Sequence, residues 1–363
     1  MSIVNIMWAG GSPYVSVHKV HQQILSQAEP GAKVFNWLLQ GQGSCCSCES
    51  TREWQLSHRL VKGRHVWGLL RPWLRGRFRQ ALEHVNAQVV LLDGLGVLRL
   101  LLPILREMPA VRVAAVFHGK TRLRRSDIAL LRDFPALRLT IVAVSQTLAQ
   151  AIEQDLGMPV QVLRTALEPE AFRSELLDRS AARQALGLSN DVTVMGAVGR
   201  LVDSKGFEYL LDAFAQASLQ QPQLHLAILG EGVQRSLLEA RIKTLRLEQK
   251  VSLVGHCNGL ARLYRAFDWV LVPSYSEGLG LVLQEAVIAD VPVLCSDISV
   301  FREQLGSAGW YASAGDIDAW AQAIAECATL NAAEVARTQF KALEPEQAWQ
   351  RSSLIAKTLL RQP

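Results

Sequence analysis

The chain has 363 residues, 49% of them hydrophobic, and a formal charge of +5; a chain of this length and apolarity buries a large core and exceeds the usual single domain, so two domains are the default. No stretch has the length and apolarity of a membrane span: the nearest, "VVLLDGLGVLRLLLPIL", is broken by Asp93, Arg99, Pro103 and two glycines. Six cysteines, at 45, 46, 48, 257, 295 and 327, are too few and too clustered for a disulfide framework, and "CCSC" lacks the second ligand pair of a zinc site, so it reads as a loop of free thiols.

The N-terminus "MSIVNIMWAGG" lacks the basic prefix of a secretory signal and reads as a first strand, so a cytoplasmic location is expected. A helix through "VSVHKVHQQILSQA", the strand-like "AKVFNWLL", a basic helical region, then "AQVVLLDG", "RVAAVFHG", "LTIVAVS" and the helical "QTLAQAIEQDLG" follow, with "VQVLRTAL" closing the first half. Short runs of Val and Ile alternating with helical patterns predict a parallel sheet covered on both faces. The pattern restarts with "DVTVMGAVGR" and continues through "KGFEYLLDAFAQASLQ", "LHLAILGEG", "QRSLLEARIKTLRL", "KVSLVGHC", "GLARLYRAF", "DWVLVPS", "VLQEAVIA" and "VPVLCSD". Two facing, doubly wound Rossmann-like α/β domains follow, over 1–170 and 171–342, and "PEQAWQRSSLIAKTLLRQ" supplies a terminal helix within 343–363.

Charge is uneven. Residues 59–79, "RLVKGRHVWGLLRPWLRGRFR", hold seven Arg or Lys, no acid, and Trp67 and Trp73, a mixture suited to an anionic membrane surface. A solvated basic helix whose Trp and Leu pack on the domain is the competing reading. No nucleic-acid recognition motif accompanies the charge, so no nucleic acid is expected.

Strand C-terminal turns are where open α/β sheets bind ligands. The first, with Gly10 and Gly11, suits either a close ligand approach or a simple turn. The turn "GRLVDSKG" sets Arg200 and Lys205 between a buried strand and a helix, where two cations and helix amides can meet phosphate oxygens. "PSYSEGLGLVLQEAVIA" puts Glu277 on a loop and Glu285 eight residues later in a helix. The first carboxylate can accept sugar hydroxyls and the second can hold a diol such as ribose. Gly280 leaves the amides of Leu281 and Val282 open to a diphosphate. Periodicity leaves open which way Glu285 faces.

The paired glutamates in "PSYSEGLGLVLQEAVIADVPVLCSD", with "GRLVDSKGFEYLLDAFA" and "LAILGEG", resemble the retaining GT-B glycosyltransferases of family 4, glycosyl transferases group 1. The likeness covers the second domain and is thinner in the first, where it rests on "GG" and "FHG". It implies a hexosyltransferase using a nucleotide-sugar donor, UDP- or GDP-hexose, with no metal or other cofactor. It assigns Glu277 to the donor sugar, Glu285 to the ribose, Arg200 and Lys205 to the diphosphate, Gly11 to the turn beneath the phosphates or near the acceptor, and His118 to the reacting sugar. It also implies that the terminal helix crosses back to the first domain. With the basic block, it gives the expectation of a lipid-linked glycan acceptor, such as a lipopolysaccharide core, at the inner face of the membrane; a soluble small-molecule acceptor, or a non-catalytic nucleotide-sugar binder, is the alternative. Three departures stand out: "LRTALEPEAF" replaces the usual Pro-Asn-Gly segment, Leu279 replaces an aromatic, and Asp290 stands where glycine is common, in a turn expected to tolerate it through local hydrogen bonds.

Overall fold

The structure, a computed structural model, describes residues 1–9, 15–43, 48–57, 59, 69–257 and 259–361. Gly11 and the Lys62, Arg64 and Trp67 of the basic block lie outside these residues. The chain divides into two compact units: Met1–Thr165 with Gln350–Pro363, and Ala166–Trp349. The division falls after Thr165 rather than near 170, and the last helix, Pro345–Leu360, starts among the residues of the second unit and ends among those of the first.

The first unit is built on seven parallel strands, β1 (Ser2–Ala9), β2 (Lys33–Gln40), β3 (Ser50–Glu53), β4 (Val89–Asp93), β5 (Arg112–Phe117), β6 (Leu139–Ala143) and β7 (Gln161–Val162), in the order β3-β2-β1-β4-β5-β6-β7. Ile3 sits opposite Val34 on one side and Val89 on the other. The runs "SIVNIMWA" and "VVLLD" are apolar but for Ser2, Asn5 and Asp93 because both faces are covered, and near-continuous burial of this kind is what a parallel sheet demands. The helix Gly94–Arg106 contributes Leu98, Leu101, Leu102 and Leu105 to that covering.

The second unit repeats the plan with β8 (Thr193–Val198), β9 (Leu224–Leu229), β10 (Val251–Gly255), β11 (Trp269–Val272), β12 (Val293–Ser296) and β13 (Trp310–Ala312), ordered β10-β9-β8-β11-β12-β13. Its helix Phe207–Gln220 buries Phe207, Leu210, Leu211 and Phe214 on one side of the sheet, while the helix Leu281–Ile288 buries Leu283, Ala286 and Val287 on the other. In both sheets the winding reverses between the first and fourth strands of the unit, β1 with β4 and β8 with β11. Beyond the C-terminal ends of such neighbours the connecting loops diverge, leaving room for a ligand.

Several local expectations are corrected. "GLARLYRAF" forms a 3-10 helix over Leu260–Ala266, and "VQVLRTAL" contributes only the two-residue β7. Cys48 is disulfide-bonded, against the free-thiol reading at that residue; Cys45 and Cys46, the rest of that reading, lie outside the described residues. Asp290 does adopt φ +65°, but its carboxylate is held by Arg173 at 3.2 Å and Arg265 at 3.6 Å rather than by its own turn.

The described part of the basic block packs on its own unit to a large extent. In the helix Arg71–His84, Arg75 donates to the carbonyls of Leu100 and Arg99 at 3.0 and 3.2 Å, Arg79 pairs with Glu107, and Arg77 lies over the rings of Trp54 and Trp73. Trp73 and Leu69 are left exposed. Arg75 and Arg79 thus have structural partners, whereas Trp73 and Leu69 do not pack on the domain as the solvated-helix reading expected. No helix among the described residues is long and apolar enough to cross a membrane.

Candidate functional site

At the switch point of the second unit, the loop after β8 and the loop after β11 are tied to each other. The amide of Tyr275 donates to the carbonyl of Ser204 at 2.9 Å. Gly206 has φ +70°, and a Cβ there would lie 2.1 Å from the carbonyl oxygen of Pro273, so only glycine permits the loops this approach. The result brings Lys205 and Glu277 into an ion pair, with side chains 17% and 13% exposed. The hydroxyl of Ser274 donates to the same Glu277 oxygen at 2.8 Å. Lys205, read from sequence as a phosphate ligand, is therefore also a carboxylate partner. Its ammonium has three donors and can serve a carboxylate and a phosphate oxygen together. Arg200, in the same loop, is exposed and makes no side-chain hydrogen bond or ion pair among the described residues.

Gly280 precedes the helix Leu281–Ile288 with φ +79°. A Cβ there would meet the Phe301 ring at 2.5 Å. The carbonyl just before it, on Leu279, accepts from Gln304 Nε2 at 2.6 Å, which pins the turn at the point where the amides of Leu281 and Val282 are free of intrahelical partners. Glu285 lies on this helix and is only 3% exposed. The hydroxyl of Tyr264 donates to Glu285 Oε2 at 2.5 Å, and burial, with the carboxylate beside it, pushes the Tyr264 hydroxyl well above its ordinary value. A carboxylate withdrawn from water, with Tyr264 among its partners, has the lone pairs to accept donors such as a diol. Arg200, Lys205, Glu277, Gly280, Leu281, Val282 and Glu285 thus all lie on the loops and helix that follow β8 and β11.

His118 belongs to the first unit, at the end of β5, and sits in a polar cluster at that unit's own switch point. His21, from the helix Val15–Leu25, places Nε2 2.9 Å from His118 Nε2. Asp93, ending β4, places Oδ1 3.6 Å from the same His118 atom, and its other oxygen accepts the Trp8 amide at 3.1 Å. Behind His21, Nδ1 meets Asn5 Oδ1 at 2.6 Å, and Asn5 Nδ2 donates to Asn36 Oδ1 at 2.8 Å. Burial lowers the pKa of both histidines; His118 and His18 lower that of His21 further, whereas Asp93 pulls that of His118 back up. Sequence reading passed over His21, Asp93, Asn5 and Tyr264. The signal available was Asn5 and Asn36, isolated amides inside apolar strands that occupy the same register position of β1 and β2.

The family described as glycosyl transferases group 1 matches residues 178–340, the span of the second-unit loops above. The chain is 31% identical over 170 residues to an uncharacterized glycosyltransferase of Methanocaldococcus jannaschii, covering 45% of this chain and 43% of that protein. It is 25% identical over 221 residues to the lipopolysaccharide core biosynthesis mannosyltransferase of Rhizobium meliloti, covering 54% and 62%, so the match reaches less than two thirds of either relative. A D-inositol 3-phosphate glycosyltransferase of Nocardia farcinica is 33% identical over 159 residues, 40% of this chain and 35% of that protein. Among solved structures, the Anabaena HepE protein in complex with UDP and glucose superposes with a TM-score of 0.79 at 20% identity, covering 99% of each chain. Identity at that level speaks for the fold alone.

Proposed function

We propose, for a chain that belongs to the glycosyl transferases group 1 family through residues 178–340 and has the GT-B fold, that it is a retaining, nucleotide-sugar-dependent hexosyltransferase acting on a small phosphorylated or polyhydroxylated acceptor. The observation that carries the donor half is the second-unit switch point, where two carboxylates flank a left-handed Gly280. Glu285, buried beside Tyr264, takes the ribose diol. Glu277 takes hydroxyls of the donor sugar, and Arg200, Lys205 and the amides of Leu281 and Val282 take the diphosphate.

Chemistry follows from charge. The bond from the anomeric carbon to the diphosphate oxygen breaks, and negative charge grows on the departing diphosphate. Two cations and oriented amides stabilise that charge more in the transition state than in the ground state, which is what accelerates the step. The acceptor oxygen bonds to the same face of the anomeric carbon, and its proton passes to a diphosphate oxygen, so no enzyme nucleophile is needed. Glu277 is neutralised by Lys205 and receives a hydrogen bond from Ser274, an arrangement suited to holding hydroxyls rather than attacking carbon.

For the acceptor, the relatives named for D-inositol 3-phosphate favour a soluble polyol phosphate, and the engagement of Arg75 and Arg79 within the first unit weakens the case for a membrane-binding block. A lipid-linked glycan is the second reading, supported by the lipopolysaccharide core relative and by exposed Trp73 and Leu69. Incubation with UDP-glucose and GDP-mannose, each against a panel of inositol and sugar phosphates and against lipid-linked glycans in anionic vesicles, tests the choice. Transfer to a soluble phosphate in the absence of lipid is expected. Transfer only to the lipid-linked acceptor would reverse the order of the two readings.

A further inference from the structure

We propose that His21 is a positioning residue that fixes the proton of His118 on Nε2, leaving His118 Nδ1 as its one lone pair, so that His118 meets its substrate only as an acceptor of a hydroxyl hydrogen. The inference rests on the reading of His118 as lining the reacting-sugar site, and deepens it by giving the residue a direction.

The argument runs inward from the sheet. Asn5 Nδ2 donates to Asn36 Oδ1 at 2.8 Å, so the Asn5 oxygen is left as an acceptor. His21 Nδ1 lies 2.6 Å from that oxygen and must carry the proton between them. A neutral imidazole has one protonated and one bare nitrogen, so His21 Nε2 is bare. His118 Nε2, 2.9 Å away, then supplies the proton.

The Asp93 carboxylate gives a separate reason for the same placement. Its oxygen lies 3.6 Å from His118 Nε2, too far for a hydrogen bond but close enough for its charge to favour a hydrogen on that nitrogen. Among the described residues His118 Nδ1 has no hydrogen-bond partner, and it is the atom left for a substrate. Both rings stay neutral because the site is buried: His21 is wholly shielded, and His18 on the same helix and His118 just after β5 add like charge if it protonates. Asp93 on β4 acts in the opposite sense on His118.

The tautomer matters because a neutral histidine can either accept or donate at a given nitrogen, and a ring free to exchange tautomers does both. Held as it is here, His118 rewards a ligand that offers an O–H at Nδ1 and penalises one that offers only an acceptor there. This is a specificity device that costs nothing at the moment of reaction, since the proton is already placed by the fold.

Long-range proton–nitrogen spectra of the full chain with labelled histidine, at pH 7.5, read both tautomers directly. The expected result is His118 with its proton on Nε2 and His21 with its proton on Nδ1. In His21→Leu the His118 signals should move toward a mixture of tautomers, whereas His21→Gln, whose amide oxygen can accept the same hydrogen, should preserve the wild-type pattern. Turnover of whichever of UDP-glucose and GDP-mannose binds should fall roughly tenfold in His21→Leu, the worth of one oriented hydrogen bond, with donor KM unchanged and recovery in His21→Gln. Wild-type spectra placing the His118 proton on Nδ1 would overturn the proposal. So would unchanged His118 signals in His21→Leu, or a stoichiometric divalent metal retained on His21, Asp93 and His118, whose ligand atoms all lie within 4.8 Å of one another. If neither nucleotide-sugar binds the wild type, the transferase reading fails while the spectra still decide the proton positions.

Discussion

Lys205 and Glu277, 72 positions apart in the chain, share one ion pair at the switch point of the second sheet, and Ser274 donates to the same Glu277 oxygen. Two groups that sequence reading assigned to adjoining parts of a donor, the diphosphate and the sugar, are thus one electrostatic unit before any ligand enters. Removing either leaves a shielded charge on the other. Lys205→Ala is expected to lower kcat by about 100-fold, the usual worth of an oriented transition-state donor. The double variant Lys205→Ala/Glu277→Ala should lose less than the two single losses combined, with a coupling of roughly 0.5–3 kcal/mol. Strict additivity of kcat/KM in that cycle would mean that the pair does not act together.

Gly280 carries a second prediction. At φ +79° a side chain is strained whatever the space, and here the space is taken by Phe301. Gly280→Ala should destabilise the protein by about 1–3 kcal/mol and weaken nucleotide binding by displacing the amides of Leu281 and Val282. Thermal unfolding and nucleotide titration check both parts; an unchanged Tm with unchanged affinity would remove the turn from the site.

The histidine cluster predicts a pH dependence of stability. In the folded chain burial keeps the pKa of His21 and of His118 below the usual value, whereas in the unfolded chain each takes a proton near pH 6.5, with the ordinary value at about 6.5. The unfolded state therefore binds more protons below that pH. Stability should be full above about 6.5 and fall as pH decreases, by at most about 1.4 kcal/mol per pH unit for each group. Urea midpoints between about pH 6.5 and 4.5, above the carboxylate range, test this, and His21→Gln should flatten the slope. A midpoint that holds constant over the window would contradict the burial of neutral imidazoles.

The parallel sheets were legible because their strands are buried on both faces and so read as continuous Val, Ile and Leu runs. β3, "STRE", and β13, "WYA", escaped that reading: both are short edge strands, and β3 is mostly exposed, so neither carries the apolar signature. The glutamates and glycines after β8 and β11 were legible because each type is required by turn geometry or charge. The partner of Lys205 was not, since it depends on how two loops from different strands are tied together. Tyr264 is the clearest loss. It stands in a segment with helical periodicity that folds as a 3-10 turn, and only the three-dimensional structure brings its hydroxyl to Glu285. In the basic block, composition could not show that Arg75 and Arg79 are engaged by carbonyls and Glu107, because those partners come from a different helix and the turn after it.

The central claim, that the loops after β8 and β11 hold a nucleotide-sugar by its two ends, is tested most directly by calorimetric titration of the wild type, Glu277→Ala and Glu285→Ala with UDP, GDP, ADP and their hexose conjugates. The account predicts that one nucleoside diphosphate and its sugar bind the wild type. Glu285→Ala should weaken both alike, by roughly 1.5–3 kcal/mol for a charge-assisted contact, and Glu277→Ala should weaken the sugar-bearing ligand selectively. Equal losses for both ligands in Glu277→Ala, or no loss in Glu285→Ala, would contradict it.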